Sequence, residues 1–293
     1  MAHCVASEAE EILDKEFPVL DKGFVRLVDY LGGDERVVQS ARVSYGKGTK
    51  SFREDAGLID YLMRHSHTSP FEQVMFTFHV KLPIFVARQW IRHRTARLNE
   101  ISGRYSVLKD DFYVPSPQDL ALQSADNKQG RSDEAMDPDL AENFRIAFAQ
   151  GQEAAYAAYG TMVNDGLARE LARINLPLSL YTEWYWQIDL HNLFHFLELR
   201  LEAHAQKEIR LYAEVLFEIA KKVAPLSCSS FERHILGGTR FSGEEMAELR
   251  SRLAETGEYG NISESGKSSA ASGGLSGKAL ERFEEKLKSG RQL

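Results

Sequence analysis

Apolar residues recur along the chain with two periods, and each period predicts a different kind of element. Phe24, Val25, Leu27, Val28 and Leu31 form a short, β-branched run closed by the turn signal Gly32-Gly33-Asp34, which predicts a strand. Asp34 stands where it would cap a helix through Val37, Val38 and Ala41, with Gly46 and Gly48 marking the loop beyond. Leu58, Tyr61, Leu62 and His65 then recur at helical spacing, and Ser69-Pro70 lies past their end. From Phe71 the period falls to two: Val74, Phe76, Phe78 and Val80 alternate with Met75, Thr77 and His79, the pattern of a half-buried strand. Pro83 suits the first turn of a following helix that carries Ile84, Phe85, Val86 and Ala87 onward to Ile91.

The run over residues 123–139 is polar and turn-rich, which predicts an exposed insertion before a helix near Leu140 to Tyr159. Ile209, Tyr212, Ala213, Leu216, Ile219 and Ala220 follow the i, i+3, i+4 rule and predict an amphipathic helix with an ordinary core stripe. From Gly257 the composition turns to Gly and Ser, as in a flexible linker, and leads to a possible short terminal helix in ALERFEEKLK.

Composition narrows what these elements can serve. A chain of 293 residues with 43% hydrophobic content buries a sizeable core and is not wholly disordered. Lys and Arg total 36 against 43 Asp and Glu, a net charge of −7, which disfavours a generally basic nucleic-acid binder and makes any anion site local. Cys4 and Cys228 supply neither a disulfide framework nor a four-thiolate metal site, and fit a reducing compartment. Glu8, Glu10, Glu11, Asp14 and Glu16 occupy the place of an apolar signal region, and no stretch approaches the ~20 apolar residues of a membrane span. The expectation is a cytoplasmic protein with no membrane partner, in which the sequon Asn261-Ile262-Ser263 has no use.

The candidate chemistry is concentrated between Arg88 and Arg104, where Arg88, Arg92, Arg94, Arg97 and Arg104 face the single acid Glu100. Guanidinium groups suit planar, bidentate grasp of phosphate or carboxylate. If the helix from Pro83 continued, Arg92 and Arg94 would diverge to opposite sides, so both serve one purpose only if it ends there. Asn99 to Arg104 adds an amide, a carboxylate, a hydroxyl, a glycine that permits close backbone approach and another guanidinium. That set fits a phosphorylated ligand with a hydrogen-bonding ring better than the competing reading of a solvated, ion-paired surface. An RNA-binding module using the cluster would need aromatic platforms, and Trp90 and Tyr105 flank it. Neither the Walker pattern nor a dinucleotide glycine fingerprint is present. His65, His67, His79 and His93 are joined by no carboxylate-rich pattern, so no metal is expected. Farther on, Arg200 and His204 lie one turn apart if their segment is helical, and Arg173 precedes a proline-bounded segment.

Arg92-His93-Arg94, then seven residues, then Ser102 resembles the signature of the flavin-dependent thymidylate synthases. HSHTSPFEQVMFTFHVKLPIFVARQWIRHR, NEISGRYS, INLPLSLYTEWYW and LRLEAHAQKEI extend the resemblance over roughly residues 20–230. It implies an α/β (α+β) fold with a mixed sheet and packed helices, one domain over 1–240 and a C-terminal extension over 241–293. It also implies a homotetramer whose active sites combine residues from several subunits. The implied reaction converts dUMP to dTMP with 5,10-methylenetetrahydrofolate as carbon donor and NADPH as reductant through FAD, using no cysteine nucleophile.

By motif position, Gln89, Trp90, Ile91, Arg92, Glu100, Ile101, Ser102, Gly103, Arg104, Arg173 and Arg200 would bind dUMP, Arg173 from a neighbouring subunit. Ser69, Arg92, His93, Arg94, Glu100, Asp189, Leu190, His191 and His195 would bind FAD, with Asp189 and His195 standing where relatives sometimes carry asparagine. Arg200 would be catalytic: a guanidinium beside the uracil ring favours its N3-deprotonated form and raises electron density at C5, where the carbon attaches. The resemblance names no role for Arg97, for the 123–139 insertion or for the tail.

Overall fold

The computed structural model describes residues 5–43, 52–125, 128–255, 277–278 and 280–283. Gly46, Gly48, Cys4, the sequon and almost all of the Gly/Ser-rich stretch lie outside the described residues. Residues 1–236 and 237–293 form separate compact units.

In the first unit β1 (Glu16–Val19), β2 (Gly23–Leu31), β3 (Met75–Pro83), β4 (Arg97–Glu100) and β7 (Tyr181–Asp189) make a sheet of order β1-β2-β3-β7-β4. The resemblance implied a mixed sheet, but every ladder in it is antiparallel. The physical reason is visible in the strands: alternate residues are buried and the others are partly open, the one-sided pattern of antiparallel sheets, whereas parallel strands are apolar on both faces. Val25, Phe78 and Trp186 occupy the covered face, with Leu27 opposite Phe78 and Phe78 opposite Trp186. Helices α4 (Ile84–Trp90), α7 (Leu190–Arg200) and α8 (Lys207–Val223) cover that face. Each large apolar side chain they bury there contributes about 1.5–3 kcal/mol.

On the other face Arg26 Nη2 lies 3.0 Å from His79 Nδ1, Glu183 lies 3.3 Å from His79 Nε2, and the His79 ring stacks on Tyr185. Burial and then Arg26 hold His79 below its ordinary pKa, which suits an acceptor nitrogen toward Arg26 and a donor toward Glu183.

Strands β3 and β7 feed α4 and α7 with no loop between, from opposite ends of the sheet, because Pro83 pairs with Tyr181 and Met75 with Asp189. Pro83 ends β3 and caps α4, one residue earlier than its expected place in the first turn. Outside this layer α2 (Asp34–Ala41), α3 (Phe52–Arg64) and α9 (Pro225–Phe231) pack together. Asp34 makes no side-chain cap on its own helix. Its carboxylate instead accepts from the Leu226 and Ser227 N–H groups and the Ser227 hydroxyl, capping α9 from 192 residues away in sequence.

The 123–139 run is not a plain exposed insertion. It builds a hairpin of β5 (Ala121–Gln123) and β6 (Arg131–Ala135), followed by α5 (Pro138–Asn164), whose Asp137 cap accepts from Asp139 and Leu140. In the second unit α10 (Gly243–Glu255) begins with a reciprocal cap: Ser242 Oγ accepts from Glu245 N and Glu245 Oε2 from Ser242 N. No helix among the described residues is long and apolar enough to cross a membrane.

Candidate active site

Helix α4 ends at Trp90, as the apolar stripe gives way to Arg92-His93-Arg94. The closing turn is tight, with Arg92 N 3.3 Å from Gln89 O and His93 N 3.0 Å from Trp90 O. That turn answers the question the sequence left open, because Arg92 and Arg94 line one cavity instead of diverging. The opposite wall is α7, which presents Asn192, His195, Leu199 and Arg200, and the cavity encloses about 290 Å³. Asn192, His195 and Leu199 follow the i, i+3, i+7 spacing of one helix face. Asn192, Thr95, Ile188 and Leu199 were not singled out from the sequence, although Asn192 and His195, polar residues three apart on α7, carried a signal.

Arg200, the last residue of α7, donates from Nε to His93 Nε2 at 3.1 Å across 107 residues of sequence. An arginine is always a donor, so this His93 nitrogen is an acceptor and the ring is the neutral Nδ1–H form. The surroundings act the same way: burial, then the Arg200 charge, then His195 push the His93 pKa down to about 4. Burial lowers Arg200 also, without removing its charge. Folded His93 thus binds fewer protons than the unfolded chain between its ordinary 6.5 and about 4. Its contribution to stability therefore rises with pH across that window and falls on acidification. In an NMR titration, His93 is expected to remain neutral at pH 5; a midpoint near the ordinary histidine value would contradict the described Arg200 contact.

Several residues expected at the ligands have side chains that carry the fold. The Trp90 ring is fully buried against Trp184, Trp186, Phe196 and Tyr212, so its side chain is closed to a ligand and offers no platform for a nucleic-acid base. Leu190 is fully buried and its N–H is donated to Val74 O, leaving neither side chain nor amide for a cofactor. Both Asp189 carboxylate oxygens are engaged by Asn192, one by its N–H and one by its side-chain amide, as the cap of α7. Gly103, expected to let backbone approach a ligand, has Leu108 Cδ1 2.9 Å from where a Cβ would stand, so its small size serves loop packing. The helical premise behind Arg200 and His204 also fails, because α7 stops at Arg200.

Ser69 and Ile91 are exposed, His191 is half-buried, and none of the three lines the cavity. Gln89 is bonded through Nε2 to the Gln206 side chain. Glu100, at the end of edge strand β4, accepts from Thr182 Oγ1 at 2.6 Å, and Ile101 N donates to Glu183 O at 2.9 Å. Beyond them Ser102 Oγ lies 3.4 Å from Arg104 N, and Arg104 pairs with Glu170 on helix α6 (Arg169–Ala172) at 3.2 Å. Arg169 holds Tyr105 O at 3.1 Å, so Arg173, the residue after α6, stands on a segment that meets the Ser102 loop of its own chain. One protomer therefore carries two cationic features: the cavity, and this loop with Arg104 and Arg173, which are outside the cavity lining.

Residues 26–226 match the family described as thymidylate synthase complementing protein, and residues 239–293 match the thymidylate synthase ThyX C-terminal domain. The chain belongs to the flavin-dependent thymidylate synthases. The flavin-dependent thymidylate synthase of Treponema denticola is 66% identical over 96% of this chain and the whole of its own. That of Treponema pallidum is 59% identical over 100% of this chain and 91% of its own. A crystal structure of the UMP/dUMP methylase PolB from Streptomyces cacaoi, bound with 5-Br dUMP, superposes with TM-score 0.67 at 32% identity over 75% of this chain and 98% of that one. Membership makes FAD the cofactor and thymidylate synthesis the activity, a methyl transfer in dTMP formation. It also gives residues 239–293, for which the sequence suggested no role, a place in the family.

The cavity's donor set fits that cofactor. Arg92 and Arg94 offer guanidinium groups to a pyrophosphate, and His195 and Asn192 offer further hydrogen-bonding groups beside them. Its volume is at the floor of the ~300–1,000 Å³ range of small-molecule sites, enough for part of a dinucleotide.

Proposed function

We propose that the chain converts dUMP to dTMP with 5,10-methylenetetrahydrofolate as carbon donor and NADPH as reductant, without a protein nucleophile. The observation that carries this reading is the convergence of Arg92, His93 and Arg94 with Arg200 on one cavity. Arg92 and Arg94 would hold FAD, with His93, His195, Ser69 and His191 as further contacts; when bound, the flavin supplies the hydride. The chain's own part is to bind, orient and polarise. Gln89, Glu100, Ser102 and Arg104 would grip dUMP, with backbone contributions from Ile91, Ile101 and Gly103. Arg200 would face the pyrimidine and stabilise negative charge on it, while His93 fixes the guanidinium through Nε. The buried Cys228 has its thiol pushed well above the ordinary value, first by burial, so it is no nucleophile.

The same proposal includes a homotetramer with shared sites, in which Arg173 of one copy meets dUMP held by another. Its support is that one protomer separates the cavity from the Arg104–Arg173 loop, and that Leu140, Phe144 and Phe148 form an exposed apolar stripe on α5 at four-residue spacing. We further assign residues 1–240 to the catalytic domain, 241–293 to an extension, and the protein to the cytoplasm, where its nucleotide and folate substrates are small soluble molecules.

The purified full chain is expected to be yellow and to sediment as a tetramer. Its flavin absorbance should bleach anaerobically with NADPH and dUMP, and adding methylenetetrahydrofolate should yield dTMP. Colourless protein that forms no dTMP after incubation with FAD would end this reading, and a sedimenting monomer that turns over would end the shared-site part.

A further inference from the structure

We propose that Arg131, on the β5–β6 hairpin, is a positioning residue for dUMP, acting through Glu208 and Gln206 to fix the amide of Gln89. The inference rests on the dUMP role given to Gln89 above and extends it to a segment for which the family resemblance named no purpose. Arg131 Nη2 lies 2.7 and 2.8 Å from the two Glu208 oxygens, and the Glu208 side chain is only 4% exposed. Gln206 donates from Nε2 to Glu208 Oε2 at 2.8 Å, and Gln89 donates from Nε2 to Gln206 Oε1.

The direction of this chain is set at one end. An ionised carboxylate only accepts, so Gln206 must turn its nitrogen toward Glu208 and its oxygen toward Gln89. Gln89 must then turn its own nitrogen toward Gln206, which leaves its oxygen and second N–H in one fixed orientation. Without the buried acceptor both amides could flip together at little cost, and half of the Gln89 population would present the wrong edge. Arg131 supplies the charged partner that this buried carboxylate needs, beside the Tyr113 hydroxyl, which donates to Glu208 Oε1 at 3.3 Å. The hairpin in turn is pinned by Arg131 Nη1 on Asp119 O at 2.8 Å and by Lys207 on the Asp119 carboxylate.

The test uses the FAD-loaded full chain and reads KM for dUMP apart from kcat. Glu208→Gln, which keeps shape but removes the acceptor-only end, is expected to raise KM for dUMP about twofold, because a half-competent population halves the apparent affinity, with kcat unchanged. Gln206→Ala should do the same, and the double variant should be no worse than Gln206→Ala alone. Arg131→Met should match them and Arg131→Lys should recover most of the loss, while flavin content stays unchanged. Wild-type dUMP affinity in folded Glu208→Gln or Gln206→Ala, or additive effects in the double variant, would overturn the relay. If Arg131→Met does not fold, the two other single variants decide. Should the wild-type chain bind dUMP but form no dTMP, calorimetric dUMP affinity of the same variants still reads the relay separately from the reaction.

Discussion

Arg200→Ala should lower dTMP formation by about 10²–10³-fold, the effect of removing one preorganised donor from a developing negative charge. The side chain is half-buried at the C-terminal end of α7, its Nε is committed to His93, and its remaining N–H groups belong to the cavity. Fold stability should change little, by roughly the 0.3–1 kcal/mol of a cation at a helix C-terminus. A second readout is independent of turnover: the Arg200 charge is the second cause of the low His93 pKa, so the His93 titration should move upward in the variant. Arg200→Lys restores charge but not the planar fork that bonds His93 and a ligand together, so it should recover only a minor part of the rate. Near-normal turnover in Arg200→Ala, with His93 still titrating near 4, would remove both the activating role and the described pairing.

What was legible in the sequence was whatever local periodicity and residue chemistry determine. The alternation around Phe76, Phe78 and Val80 gave β3, the stripe through Ile209, Tyr212 and Leu216 gave α8, and the arginine cluster located the cavity wall. What was not legible depended on partners far away in sequence. Asp34 reads as a local cap, yet the better-placed orphan N–H groups belong to α9, and nothing near Asp34 reveals them. LEAHAQ has good helix formers, yet α7 stops at Arg200, with Gln206 held at the start of α8 by Glu208 and Gln89; tertiary bonds outweigh propensity differences of a few tenths of a kcal/mol per residue. The polar composition of residues 123–139 suggested solvent, and most of the run is exposed, but the buried Glu208, 77 residues beyond Arg131, and the Asp119 carbonyl anchor its hairpin in a way the composition does not reveal.

The site shows the same division. Motif position places whole runs such as Gln89 to Arg92 at a ligand, but successive residues at the end of a helix point in different directions. Gln89 and Trp90 are adjacent in sequence, yet one reaches the Gln206 amide and the other fills the core. The same holds for Asp189 and Leu190, which begin α7 as its cap and as a core residue.

Trp90 therefore offers the largest expected effect on stability. Its ring lies 5.6 Å from Trp184, 5.1 Å from Trp186, 4.8 Å from Phe196 and 6.0 Å from Tyr212, where β7, α7 and α8 meet the end of α4. Trp90→Ala leaves a cavity there and should cost about 3–5 kcal/mol. Against a typical total of about 5–15 kcal/mol this is a third or more, and for a unit of this size it corresponds to a melting drop of about 10 °C. The turn that carries Arg92 and His93 starts from Trp90, so flavin retention should fall with the melting temperature. Trp90→Phe separates packing from recognition. It keeps an aromatic ring and removes an indole N–H that has no acceptor among the described residues, so its melting drop should be less than half that of the alanine variant. Differential scanning calorimetry at fixed protein concentration measures both, since assembly makes melting concentration-dependent. A Trp90→Phe protein with unchanged melting but a raised KM for dUMP would return this residue to the substrate site and contradict its placement in the core.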